Sequence, residues 1–107
     1  MERPTKVDIF GIIWRIEWCP IVRDAHIFGD TADQNLTIRI DNALEPQQEK
    51  VTLLHELHHA IQMSLGATDD NDPHRGIYTN SQGLWAVAKH NPDLWQWLWS
   101  EEDTEDA

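Results

Sequence analysis

The chain has 107 residues, with 8 Lys and Arg against 19 Asp and Glu, for a formal charge of −11. That length predicts one domain, and hydrophobic residues at 40% with charged residues at 25% give a folded, globular mix. Nothing here could neutralise many phosphates, so no nucleic-acid partner is expected. No apolar run approaches the roughly 20 residues of a membrane helix, so no membrane partner is expected either. No apolar signal core follows Met1–Lys6, so secretion is not expected. Cys19 is the single cysteine, which excludes a disulfide scaffold and fits a reducing cytoplasm.

The acidity is localised. Residues 101–107 hold five acids and residues 69–72 hold three; without them, eleven acids face eight bases, a net of −3. We therefore expect a single domain over residues 1–100 and a solvated acidic tail over 101–107. Six tryptophans in so short a chain read first as core filling, because a small domain must bury large side chains to gain enough area.

In chain order, Ile12, Trp14, Ile16 and Trp18 alternate with Ile13, Arg15 and Glu17, the period-two pattern of a half-buried strand that ends at Pro20. Ile27-Phe28 suggests a short strand, and Asp30 to Asn35 a turn closing a hairpin onto Leu36. Leu36, Ile38 and Ile40 alternate with Thr37, Arg39 and Asp41 as another strand. The expected sheet has about three strands and is mainly antiparallel. From Pro46 to Leu65 the period becomes helical, with Val51, Leu54, Leu57, Ile61 and Leu65 on one stripe, widened by Leu53 and Ala60. That stripe predicts a helix buried on most sides, and Gly66 stands where a C-terminal stop belongs. A loop is expected over 67–73 and a second helix over 76–90, with Leu84, Trp85, Val87 and Ala88 inward. Asn91-Pro92-Asp93 reads as a cap, a proline and an acid opening a third helix, with Leu94, Trp95, Leu98 and Trp99 toward the core and Trp97 off that face.

Chemistry concentrates at His55-Glu56-Leu57-His58-His59, an H-E-x-x-H pattern in the strongest helical segment. Helical positions i and i+4 lie about 40° apart, so His55 and His59 project side by side, one turn apart, as two imidazoles able to share a Zn²⁺. Glu56 falls on the neighbouring flank, where a carboxylate reaches a metal-bound water without ligating the ion, as the general base of a zinc hydrolase does. His58 turns away from His59 and reads as a polar-face residue. A catalytic zinc needs a third protein ligand. Leu65 and Gln62 stand where the extended metzincin motif needs His and Gly, so that class is excluded. Asp69, Asp70, Asp72, His74 and Asn80 are the candidates further along the chain.

The segments Ile12–Trp18, Leu36-Thr37-Ile38-Arg39-Ile40-Asp41, Thr52–Ile61, Gly83-Leu84-Trp85-Ala86-Val87 and Asn91-Pro92-Asp93-Leu94 together resemble the catalytic core of the ImmA/IrrE metallopeptidases, over about three quarters of the chain. Only the H-E-x-x-H segment carries chemistry in that resemblance. It implies an α+β, zincin-like minimal metallopeptidase domain of gluzincin type. In it a small, mainly antiparallel sheet packs on the motif helix, with two further helices. The resemblance also implies a bacterial cytoplasmic protein, compatible with a phage or prophage origin. Such proteins commonly supply an acidic third ligand at the start of the next helix, and no Glu occurs from 57 to 100; the corresponding position is His74.

The expected site is therefore one zinc held by His55, His59 and His74. Glu56 takes a proton from the zinc-bound water as it attacks a peptide bond of a protein or peptide substrate. Tyr78 is a candidate extra donor to the oxyanion, although core packing is its ordinary role. An extended substrate is expected to pair with a sheet edge beside the motif helix. The alternative is a weak or inactive zincin-fold inhibitor or binding protein that acts through its acidic tail, its Asp-rich loop and its Trp-rich C-terminus, with Trp97 as an exposed anchor. A purely structural zinc site would normally use several cysteines, and there is one.

Overall fold

In the computed structural model, residues 2–21, 28–66 and 73–100 are described. Four strands and three helices follow one another: β1 (Lys6–Ile9), β2 (Ile12–Cys19), β3 (Gly29–Ala32), β4 (Thr37–Asp41), α1 (Pro46–Leu65), α2 (Pro73–His90) and α3 (Pro92–Leu98). The architecture is α+β, as expected. The sheet is mixed rather than mainly antiparallel, with strand order β1-β2-β4-β3.

The difference from the expected, mainly antiparallel sheet has a physical reason. β4 buries Ile38 and Ile40, whereas Gly29-Asp30-Thr31-Ala32 of β3 offers no large apolar side chain. The apolar strand takes the interior place beside β2, paired in parallel from Arg15↔Thr37 to Cys19↔Asp41. The small polar strand is left at the edge, antiparallel to β4 from Gly29↔Ile40 to Ala32↔Thr37. The turn expected from Asp30 thus gives way to strand through Ala32, and the short strand expected at Ile27-Phe28 falls partly outside the described residues.

β1 is an additional strand. It joins β2 through a two-residue hairpin, Phe10-Gly11, with Ile9 facing Ile12. Both loop residues have positive φ, 55° and 88°, which is the type I′ geometry that suits the twist of paired strands. Phe10 is a poor residue for a left-handed position, so the sequence gives no turn signal there.

One face of the sheet is covered. Val7, Ile9, Trp14, Ile16, Ile38 and Ile40 pack onto Leu53, Leu57, Ala60 and Ile61 of α1, with Val87, Leu94 and Trp97 closing the core from α2 and α3. Helix α1 runs over the expected span, opens with Pro46 and ends at Gly66 in the left-handed conformation. It is not buried on most sides: Val51, His55, His59 and Leu65 lie on an exposed flank. Helix α2 begins at Pro73, earlier than expected. It approaches α1 closely at Gly83, where an added Cβ would collide with Ile61 Cγ2.

The third helix starts at Pro92 as expected, but Asn91 does not cap it with its side chain. The Asn91 amide instead accepts from the Asp8 N–H at 2.8 Å and donates to the Asp8 carbonyl at 2.7 Å and the Val87 carbonyl at 2.8 Å. These bonds satisfy backbone groups on the outer edge of β1, an edge that would otherwise stand open. Among the described residues no helix is long and apolar enough to cross a membrane.

Three tryptophan placements are corrected. Trp97 is 1% exposed and belongs to the core, whereas Trp99 and Trp85 are each 70% exposed. Trp97 packs edge-on against Trp18 of β2, with ring centroids 5.6 Å apart, and lies beneath the Lys50 ammonium. Helix α3 meets the sheet through Leu94 and Trp97, three residues apart, so the face carrying Trp95 and Trp99 turns outward.

Candidate metal centre

The site is built on the middle of α1. Leu53, Leu57, Ala60 and Ile61 anchor the helix in the core, and this rotation carries His55 and His59 to the open flank and Glu56 toward β3. The Nε2 atoms of His55 and His59 lie 3.1 Å apart, with ring planes inclined by 73°. Two nitrogens bound to one zinc at about 2.0–2.1 Å in tetrahedral geometry lie about 3.3 Å apart. The separation is that of an imidazole N–H···N hydrogen bond and is also close to the spacing a shared metal would need, and both residues are exposed.

His58 lies on the same turn, half-buried. Burial holds its imidazolium below the usual histidine range, and the neighbouring His55 and His59 push in the same direction. It therefore stays neutral over a wider pH range than a free histidine.

Glu56 is only 6% exposed. Its Oε1 accepts a hydrogen bond from the Thr31 hydroxyl at 2.7 Å, and the same hydroxyl lies 3.2 Å from the Glu56 carbonyl oxygen. Gly29, two residues earlier on β3, is the place where strand and helix touch. A Cβ there would lie 2.8 Å from the Arg39 carbonyl oxygen, 3.0 Å from Thr52 Cγ2 and 3.3 Å from Glu56 Cγ. The absent side chain lets the edge strand lie flat on the helix at Glu56.

The backbone of β3 follows from its pairing. The Asp41 N–H donates to the Phe28 carbonyl at 2.8 Å, which makes 28/41, 30/39 and 32/37 the bonded pairs. The N–H and C=O groups of Gly29 and Thr31 therefore point to the outer edge, which no strand among the described residues covers, at the two positions whose Cα faces turn toward α1. On the opposite face Asp30 and Arg39 form a bidentate ion pair that ties β3 to β4.

Sequence reasoning singles out His55, Glu56 and His59, and the structure sets the two histidines side by side, as their helical spacing predicts. It gives no signal for the contacts of Gly29 and Thr31 with Glu56, because the turn formers from Asp30 to Asn35 conceal a strand that pairing alone reveals. Of the third-ligand candidates, Asp69, Asp70 and Asp72 lie outside the described residues, as do the side chains of His74 and Tyr78, although α2 carries the backbone of both. The Asn80 Oδ1 is buried on α2 with no hydrogen-bond partner. Among the described residues no group of three His, Cys, Asp or Glu side chains converges. Comparison with known proteins finds no family model that matches this chain, and no curated protein or solved structure that matches it.

Proposed function

We propose that the chain is a zinc-dependent metallopeptidase that hydrolyses a peptide bond in a protein or peptide substrate. One observation carries the reading: two imidazole nitrogens stand 3.1 Å apart on an exposed helix flank, close enough to share an ion, and the adjacent glutamate is buried and hydrogen-bonded. His55 and His59 would hold the ion, with His74 as the proposed third ligand. A zinc ion there would supply an acidified water and a positive charge for the developing oxyanion.

The chain's own residues do the rest. Glu56 takes a proton from the attacking water and passes it to the leaving amine. Its Oε1 is already engaged by Thr31, so Oε2 is the oxygen that exchanges the proton. The open edge of β3 offers the N–H and C=O of Gly29 and Thr31 to an extended peptide, which would then lie alongside Glu56. Zincin-like architecture and kinship with the ImmA/IrrE peptidases are part of this same proposal. The exposed Trp85 and Trp99 favour a second reading, a binding protein that uses aromatic anchors together with the acidic tail.

The test is Glu56→Gln, assayed against a peptide library beside the wild type. The variant should keep one zinc per chain and lose hydrolysis by at least about a hundredfold, as removal of a general base does. Equal hydrolysis in both proteins overturns the mechanism. Zinc binding without any hydrolysis in the wild type favours the second reading.

A further inference from the structure

We propose that Thr31 is the positioning residue for Glu56: its hydroxyl fixes which carboxylate oxygen is held and which is left to exchange a proton. The chemical consequence rests on the metallopeptidase reading, whereas the orientation itself stands on geometry alone. A threonine hydroxyl has one proton to give. At 2.7 Å that proton goes to Glu56 Oε1, and the Glu56 carbonyl oxygen at 3.2 Å is the weaker acceptor. Hydrogen bonds to an ionised carboxylate are the shorter and stronger kind, and this one is shielded from water by the burial of Glu56.

Helix α1 alone does not fix the carboxylate. A glutamate has three side-chain torsions, and freezing them costs conformational entropy that some contact must offset. Two features of β3 provide that contact. Gly29 brings the strand down onto Thr52 and Glu56, and Thr31 reaches the carboxylate from the next inward-facing position. The same residue presents its backbone N–H and C=O to the outer edge, which no described strand covers. Thr31 thus joins the base, through its side chain, to the strand edge where a peptide would pair, through its backbone. A substrate docked on that edge would be in register with a base whose free oxygen is already chosen.

The full-length chain is compared as wild type, Thr31→Val and Thr31→Ser, with Thr31→Ala replacing the valine variant if that one does not fold. Zinc content, kcat, KM and the Glu56 side-chain rotamer populations from NMR couplings are measured on each. Valine keeps the shape and loses the hydroxyl; serine keeps the hydroxyl. Thr31→Val should retain its zinc and show rotamer averaging at Glu56. Its kcat should fall about tenfold to a hundredfold, the scale of a hydrogen bond to a charged group, with KM within about twofold. Thr31→Ser should restore both the single rotamer and the rate.

If Glu56 stays in one rotamer in Thr31→Val, the proposal is overturned whatever the activity. If Glu56 is freed but serine does not refix it, strand packing rather than the hydroxyl holds the base, and the proposal is likewise overturned. If the wild type cleaves nothing while the rotamer results follow expectation, the peptidase reading fails and the assignment of Thr31 to Glu56 stands.

Discussion

Trp97 and Trp99 sit two positions apart on one short helix and have opposite surroundings. Trp97 is enclosed by the sheet and by Trp18, with Lys50 over its ring; Trp99 meets Trp95 edge-on and is otherwise in water. Truncating a buried tryptophan loses its transfer energy and leaves a cavity, which costs about 3–5 kcal/mol. Trp97→Ala should therefore lose that much stability in urea unfolding, and Trp99→Ala less than about 1 kcal/mol. The Trp97 indole N–H lies buried without a hydrogen-bond partner, so truncation also removes one unsatisfied donor and the cost should fall toward the lower end of that range. A larger loss in Trp99→Ala than in Trp97→Ala would mean that α3 is rotated from the arrangement described. The outcome also bears on the binding-protein reading, whose aromatic anchor must be Trp85 or Trp99, since Trp97 is committed to the core.

At the scale of elements, the crossing of α1 and α2 depends on Gly83. A methyl at that position collides with Ile61, and overpacking of this kind costs about 1–3 kcal/mol. Gly83→Ala should destabilise by that amount in the wild type and by clearly less in an Ile61→Ala background, so a double-mutant cycle in urea should be non-additive. Strict additivity would place the two helices farther apart. The same elements show what the sequence makes legible. α1 could be read to its ends, because its period is long, Pro46 opens it and Gly66 closes it, and the H-E-x-x-H pair follows once that helix is given. Strand order could not be read, because β2, β3 and β4 are consecutive in the chain and only the competition for the apolar interior puts β4 between the other two. β1 was hidden by its shortness and by Phe10 in a turn position that usually holds Asn or Gly. Asn91 was read as a local cap because capping is the ordinary use of Asn before Pro; its partner, Asp8, is too distant in the chain for any local rule to supply. Thr31 was missed for the same reason, since its importance lies wholly in a contact made across the fold.

For the whole molecule, the proposed metal is a linkage partner of folding. The His pair is assembled only when α1 is formed and anchored, so an ion bound there favours the folded chain. At a free zinc concentration about a thousandfold above the dissociation constant, the gain is about 4 kcal/mol. For a domain near 100 residues, each kcal/mol moves Tm by about 4–8 °C. Zinc should therefore raise the melting temperature by roughly 15 °C or more, and a chelator should reverse the rise. His59→Ala removes half of the pair and should abolish both the shift and the bound zinc measured by elemental analysis. His74→Ala decides the third ligand. Loss of zinc there supports a three-histidine site, and retention moves the ligand to Asp69, Asp70, Asp72, Asn80 or water. Deleting residues 101–107 should leave the zinc shift intact, since a charged tail not bound at the site acts on the ion only through a screened field. If the wild-type chain gives no shift and holds no zinc even after the metal is added back, the closely set histidines are not a metal site. The tail and the exposed tryptophans would then be the features to test against binding partners, with salt dependence as the first discriminator.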